Sequence, residues 1–598
     1  MPRDPIEYSQ YEEGRHLNYW ELDRTMHFEA ARIYPDEEFE WAAPQLSEFG
    51  EIVGHTIADN ADVIDREGHE LHTYDKDGER TNHVEYHPLQ HENDQLADEM
   101  GIVSDAFHAP PGRTEPLGLQ HTLTMQNLLC YADTGFVCAL SMTTGAAIVL
   151  ERYGTDEFSE TYFERLTDRD PTAQFEGAMF LTEKQGGSDV GANEVRAEPT
   201  DESRVYELYG EKWFCSNIDA EGTLALARRP DAPEGTDGLS LFIVPHTTRS
   251  GDLNDQLYRR LKDKLGTISV PTGEVEFTGA EAYLVGEPEN GFRYMTAMLN
   301  FERLTNAGGS LGIMGRALLE SKIHAANREV FGETIDQYPL LRRDLVDMQV
   351  EYDAGSAFVY EAMRFYDDVQ RVESDRIAGD DENARDGDPD RSFKLMRLLV
   401  PIAKYKLGRM CVDTASYAME ILGGNGYVED FVTPRLLRDA QVTPIWEGTS
   451  NILSLDVLRV LNKEAAHEAL FPLIRERLET ATHPRLREFT EIVEGEVANL
   501  QEAMVTLASE DSEYAQHEAK QLADYVFDVV TAAALIERAQ ERIDDADDAR
   551  RVLVTEWFLE TRFGQQDARG ITDGEKLPDE YFDEIVRYGS IAPDALGE

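Results

Sequence analysis

The chain has 598 residues, enough for several domains and a large buried core. Its 56 Lys and Arg face 117 Asp and Glu, a formal charge of −61, which repels nucleic acid and anionic membranes unless a local basic patch opposes it. Carboxylates in this excess read as a solvated surface adapted to high salt, so neither a nucleic-acid nor a membrane partner is expected.

Taken in chain order, Met1-Pro2-Arg3-Asp4-Pro5 lacks the basic-then-apolar order of a secretory leader. Residues 1–177 read as a mainly helical N-terminal domain with a polar interruption, where Asp75-Lys76-Asp77-Gly78 has turn composition. His87 and His91 stand at i and i+4 with Glu92 adjacent, but no third ligand is evident, so a surface helix face is expected and no metal. The uncharged run from Thr134 to Leu150 is rich in Gly, Ser and Thr, falls short of a membrane span, and reads as a buried helix. Cys130, Cys138, Cys215 and Cys411 form no CxxC pair, which speaks against a zinc site or a disulfide framework and for a reduced cytoplasm.

The texture changes over 178–286. Val205–Tyr209, Lys212–Cys215, Leu224–Ala227, Leu239–Val244 and Gly273–Phe277 are short runs bounded by Gly, Pro or charged residues, which predicts a middle antiparallel β domain. Helical patterns return over 287–461, and the helix predicted from Ala403 to Leu422 stops at Gly423-Gly424. Asp375–Arg391 is polar and acidic, and is expected to be an exposed loop. Residues 462–598 read as an appended acidic helical domain, with Pro472 and Pro484 near its start. The whole is an α+β chain.

Four segments carry candidate chemistry. In Thr182-Glu183-Lys184-Gln185-Gly186-Gly187-Ser188-Asp189, paired glycines allow close approach to a flat ring or a phosphate, and Thr182 and Ser188 supply hydroxyls. In Lys212-Trp213-Phe214-Cys215-Ser216-Asn217, Phe214 and Ser216 share one side of a strand. In Glu420-Ile421-Leu422-Gly423-Gly424-Asn425-Gly426-Tyr427, the glycines follow a long helix and not a strand, so no dinucleotide fold is implied. Further on, Pro444-Ile445-Trp446-Glu447-Gly448-Thr449-Ser450-Asn451 sets a carboxylate before residues able to open a helix.

In this order and at these separations the segments resemble the acyl-CoA dehydrogenase flavoproteins, most strongly over 178–461. Phe180 departs from the small residue usual in that family. The resemblance implies that FAD is held by Leu181, Thr182, Gly187, Ser188, Phe214, Ser216, Glu420, Gly423, Gly424, Thr449 and Asn451. It implies that the Gly423-Gly424 backbone lies against the flavin pyrophosphate of a neighbouring subunit, that Arg328 meets the same phosphates across the interface, and that Phe331 also contacts the cofactor. A homo-oligomer, a tetramer by resemblance, follows, with an acyl-CoA as substrate and an electron-transferring flavoprotein or similar acceptor as partner.

Glu447 occupies the usual position of the base that removes the α proton. Phe301-Glu302-Arg303-Leu304 resembles the isovaleryl-CoA dehydrogenase branch, where the base stands at the position of Glu302. Glu447 is preferred, Glu302 is the alternative, and Ser188, Glu302, Arg303 and Trp446 are expected to face substrate. Tyr74–Gly78, Leu261–Gly266 and the helical extension resemble the AidB, alkylation-response branch. The basic C-terminal region that would contact DNA in that branch is acidic here, as in Glu510-Asp511-Ser512-Glu513. Two functions therefore stand open: a turning-over dehydrogenase, or an AidB-type flavin-binding stress protein with little turnover.

Overall fold

In the computed structural model, which describes residues 4–154, 157–378, 388–564 and 576–596, β structure is concentrated between 177 and 284. β1 (Glu70–Tyr74) and β2 (Arg80–Glu85) lie outside it and form an antiparallel hairpin. The turn predicted at Asp75–Gly78 joins them: the Asp75 carboxylate accepts from Asp77 N–H at 2.8 Å and Glu79 N–H at 2.9 Å. These strands went unread because Glu70-Leu71-His72-Thr73-Tyr74 shows little apolar alternation. His87 is not on a helix face. It caps the Pro88–Glu99 helix, accepting from Leu89 N–H at 3.2 Å, with its other ring nitrogen 3.0 Å from Glu67.

The main sheet comprises β3 (Gly177–Phe180), β4 (Arg196–Pro199), β5 (Val205–Ser216), β6 (Gly222–Arg228), β7 (Leu239–Pro245), β8 (Gln256–Leu261) and β9 (Thr272–Leu284). Its order is β3-β6-β4-β5-β9-β7, with β8 on β9 and a further β6–β7 pairing that closes the path. The expectation of an antiparallel domain needs correction: β3–β6 and β4–β6 run parallel, so the sheet is mixed. The two runs read as separate strands at Val205 and Lys212 are one strand, β5, whose register shifts twice against β9.

Alternation along β6 and β7 explains their unbroken apolar composition. Leu224, Leu226, Leu239, Leu241 and Ile243 enter one core with Met142, Ala146 and Leu150 of the Thr134–Tyr153 helix. Ala225, Ala227, Phe242 and Val244 enter a second core with Val275 and Phe277. Both faces are buried, so neither needs polar residues. Phe180 sits wholly inside the second core, so its departure from a small residue is absorbed by sheet packing. The Thr134–Tyr153 helix, at 20 residues, is longer than its sequence suggested and passes the length and composition test for a membrane span, but its apolar window is 83% buried within the protein.

Chain contacts divide the molecule into two units. One is Glu40–Gly309 with Gln370–Arg385, the sheet unit; the other is Met1–Phe39, Ser310–Val369 and Asp386–Glu598, the helical unit. The helical unit contains most of the Pro339–Ala378 helix and the helices Pro389–Leu422, Ser450–Lys463, His467–Leu478, Pro484–Ser509, Ser512–Ala546 and Arg550–Phe563. Of the loop expected at 375–391, Asp375–Ala378 and Pro389–Arg391 are helical, and 379–387 lie outside the described residues.

Within the helical unit the acidic C-terminal stretch turns its arginines inward. Arg538 donates to Glu29 at 2.8 Å and to the Ala357 carbonyl at 3.1 Å, Arg550 donates to Asp353 at 2.8 Å, and Arg551 lies 3.3 Å from Glu29. Arg477 pairs with Glu361 in the same interior. Burial works against ionising Glu361, but Arg477, Arg364 and Arg538 outweigh it and hold the carboxyl far below its usual range. Residues near both ends of the chain are thereby tied to the middle of the Pro339–Ala378 helix by charge as well as packing.

Candidate functional site

The sheet unit carries Leu181, Thr182, Gly187, Ser188, Phe214, Ser216, Glu302 and Arg303. β3 ends at Phe180 and releases the chain into the Gly-Gly turn, which β5 holds from beside: Trp213 N–H donates to the Thr182 carbonyl at 3.0 Å. The underside of the turn is fixed by an ion pair. Lys212, fully buried, donates to Glu183 at 2.8 Å and to the Leu226 carbonyl at 3.0 Å. Glu183 also accepts from Val195 N–H at 3.2 Å. Burial pushes the Lys212 ammonium down, and Glu183 opposes that shift. A side chain at Gly187 would stand 2.7 Å from the Thr182 hydroxyl, so glycine lets that hydroxyl lie against bare backbone.

Gly187 and Ser188 are exposed, and Phe214 keeps 56% of its surface in solvent despite sitting in a strand. Ser216, on the Phe214 side of β5, shares a hydrogen bond of 2.9 Å with Thr272. An aromatic face, a hydroxyl and a side-chain-free turn thus stand exposed where β5 ends, the set needed to receive a flat heteroaromatic group. Glu302 is on the Gly291–Asn327 helix, only 5% exposed and accepting from the Ser141 hydroxyl at 2.8 Å. Arg303 follows it, half-buried.

The helical unit carries Arg328, Phe331, Glu420, Gly423, Gly424, Trp446, Glu447, Thr449 and Asn451. The Pro389–Leu422 helix stops where predicted: Gly423, at φ 62°, donates its N–H to the Glu420 carbonyl. A side chain added at Gly423 or Gly424 would meet nothing within 4 Å. Their glycine identity is not required by the packing of this chain; the exposed backbone is open to a phosphate or another large group. Arg328 leads into a tight hairpin, β10 (Glu329–Val330) and β11 (Glu333–Thr334), with Phe331 at its tip. Phe331 is 98% exposed and, like Gly332, has positive φ.

The loop bearing Glu447 is fastened to the same long helix from which the glycines emerge. Lys404, buried, donates to the Gly448 carbonyl at 2.6 Å. One turn later Thr443 donates to the Gly408 carbonyl at 3.2 Å, and a side chain at Gly408 would press on the Thr443–Pro444 peptide. Held at both ends, Glu447 adopts φ 54°, a left-handed conformation that costs a residue with a Cβ, and Gly448 follows at φ 105°. Thr449 then caps the Ser450–Lys463 helix by position, without a side-chain cap bond, and Asn451 is exposed in its first turn. Trp446 is half-buried beside Glu447.

Sequence reading missed Glu183, Lys212, Ser141 and Lys404, the residues that hold the others in place. The signal was a charged or hydroxyl residue inside an apolar run, as with Lys404 after Leu399-Val400-Pro401-Ile402-Ala403. Among the described residues no cluster of three or more His, Cys, Asp or Glu suited to a metal is present.

Known proteins resemble this chain in sequence and in fold. The family model for the acyl-CoA dehydrogenase C-terminal domain matches residues 289–462, that for the middle domain 178–280, and that for the adaptive response protein AidB N-terminal domain 9–171. Acyl-CoA dehydrogenase family member 11 of Caenorhabditis elegans is 34% identical over 500 residues, 81% of this chain and 77% of the relative. The putative acyl-CoA dehydrogenase AidB of Escherichia coli is 34% identical over 413 residues, 66% and 70% of the two chains. The crystal structure of Caenorhabditis elegans ACDH-11 in complex with C11-CoA matches with a TM-score of 0.82 at 30% identity, over 92% of each chain.

Proposed function

Because this chain belongs to the acyl-CoA dehydrogenase family, we propose that it oxidises an acyl-CoA thioester across its α,β bond, with Glu447 as base and FAD as cofactor. The observation that carries this reading is the strained backbone at Glu447, kept in place by Lys404 and Gly408. Such strain is stored where a side chain must be aimed, and a base has to be aimed at one proton. FAD, when bound, supplies the acceptor for the hydride leaving the β carbon.

The chain's residues supply the rest. Glu447 takes the α proton, and its own N–H donates to the thioester carbonyl, stabilising the negative charge that develops there. Phe214, Ser216, Thr182 and the Gly187-Ser188 turn hold the ring. The open Gly423-Gly424 backbone and Arg328 suit a pyrophosphate, which arginine meets with paired donors, and Glu420, Phe331, Thr449 and Asn451 border it. Trp446 narrows the acyl side. The C11-CoA in the nematode structure supports an acyl thioester as the substrate class.

The exposed Phe331, Tyr427 and Ile445 support assembly into a homo-oligomer, for which a tetramer is our reading. An electron-transferring flavoprotein is the proposed acceptor and the cytoplasm the proposed compartment.

Anaerobic mixing of the FAD-loaded protein with a panel of acyl-CoAs tests the reading. Bleaching of the flavin by a thioester supports it, and no bleaching across the panel overturns it. Glu447→Gln is expected to abolish bleaching while retaining FAD; full activity in that variant moves the role to Glu302. The match of residues 9–171 to the AidB N-terminal domain favours the second reading, a flavin-binding stress protein with little turnover. The inward-facing arginines of the C-terminal helices count against DNA contact in either case.

A further inference from the structure

In the sheet unit, two helices meet through a pair of matched positions. Ser141 and Gly145 stand one turn apart on the Thr134–Tyr153 helix, and Met298 and Glu302 stand one turn apart on the Gly291–Asn327 helix. A side chain at Gly145 would lie 2.6 Å from Met298 Cγ and 3.4 Å from Glu302 Oε1. The other Glu302 oxygen, Oε2, accepts from the Ser141 hydroxyl at 2.8 Å. Ser141, 1% exposed, is as buried as its partner. One oxygen of Glu302 is therefore held by a hydroxyl of the neighbouring helix, and the absence of a side chain at Gly145 leaves room for the carboxylate to lie there.

A general base must present a carboxylate oxygen to the proton it removes. A carboxylate tied by one oxygen to a buried hydroxyl of a second helix is restricted in how it can turn toward a substrate. We propose that Ser141 is a positioning residue: in the room left by Gly145 it holds the Glu302 carboxylate between the two helices, making Glu302 a fixed group and leaving proton abstraction to Glu447. This rests on the dehydrogenation reading above. It adds that the second carboxylate has a fixed electrostatic role, and that its fixture is a hydroxyl on the first long apolar helix.

The FAD-loaded full-length protein tests this through Ser141→Ala, Ser141→Thr, Glu302→Gln and the double variant Ser141→Ala/Glu302→Gln. Ser141→Ala is expected to slow flavin reduction by saturating acyl-CoA about tenfold, the scale of one hydrogen bond to a charged group. Ser141→Thr, which keeps the hydroxyl, is expected to restore most of the rate. Glu302→Gln is expected to lose a similar factor, and the double variant no more than either single change. Abolition of reduction by Glu302→Gln would overturn the proposal, because Glu302 would then be the base. Additive losses would also overturn it, because Ser141 would then act through packing alone.

A second readout is independent of turnover. Denaturant unfolding of the wild type, Ser141→Ala, Glu302→Gln and the double variant is expected to show coupling between Ser141 and Glu302 at pH 8, since a hydroxyl donates more strongly to a carboxylate than to a neutral amide. Coupling without bleaching by any thioester would leave the clasp intact and sink only the dehydrogenation reading. Absence of coupling at pH 8 would sink the clasp itself.

Discussion

The two units handle buried charge in opposite ways. Beneath the turn that carries Thr182, Gly187 and Ser188 the sheet unit keeps a compact pair, Lys212 with Glu183. The helical unit keeps a network in which Arg477, Arg538, Arg550 and Arg551 share Glu29, Asp353 and Glu361. An isolated pair has no substitute when one member is lost, whereas a network redistributes. The pair positions a loop at the candidate site; the network joins segments distant in sequence. Precision at a single place and cohesion across many places use the same interaction in different arrangements.

The sharpest break of this contrast is Lys212→Met. It leaves Glu183 buried without its cation and is expected to cost about 3–5 kcal/mol, with loss of bound FAD, by denaturant unfolding and flavin absorbance. Arg538→Met should cost less, about 2–3 kcal/mol, because Arg551 still reaches Glu29 and Arg477 still reaches Glu361. Equal losses in the two variants would dissolve the distinction between pair and network.

Acid should strike the network next. The Glu361 and Asp353 carboxyls are depressed in the folded state, Glu361 from a reference of 4.5. Their stabilising effect is complete above the unfolded value and fades as pH falls below it. Tm of the wild type is therefore expected to drop steeply below about pH 4.5, and Glu361→Gln, less stable at neutral pH, to show a flatter decline. A parallel decline in the two proteins would remove Glu361 from the account of acid unfolding.

The smallest effect is expected at the hairpin tip. Phe331→Asn replaces an exposed aromatic at φ 53° with a residue that tolerates this conformation. Tm is expected to stay or rise slightly, while FAD retention falls if Phe331 borders the cofactor. Unchanged retention would remove Phe331 from the site.

What the sequence disclosed divides along a physical line. The stop at Gly423, the helix start after Thr449 and the strands at Leu224 and Leu239 depend on local rules of capping and alternation, and they were legible. The β1–β2 hairpin was not, because its stability comes from turn bonds and not from an apolar pattern. The parallel pairing of β3 with β6 was hidden as well, since periodicity carries no information about partner direction. Among functional positions, residues aimed outward were found through their motifs. Those that aim them, Ser141, Lys212 and Lys404, act across long sequence separations and have no local signature. Left-handed Glu447 lies between these cases: its place was visible, its backbone strain was not.

The inward turn of the C-terminal arginines has a consequence for handling the protein. With Arg477, Arg538, Arg550 and Arg551 committed to the interior, the outer helices present Glu488, Glu491, Glu494, Glu502, Glu510, Asp511 and Glu513 to water. Mutual repulsion among these groups reaches about 30 Å at 0.01 M ionic strength and about 3 Å at 1 M. Dissolved cations thus act as a missing outer layer, and dialysis into dilute buffer should loosen the Pro484–Ala546 hairpin before the arginine-clasped interior yields.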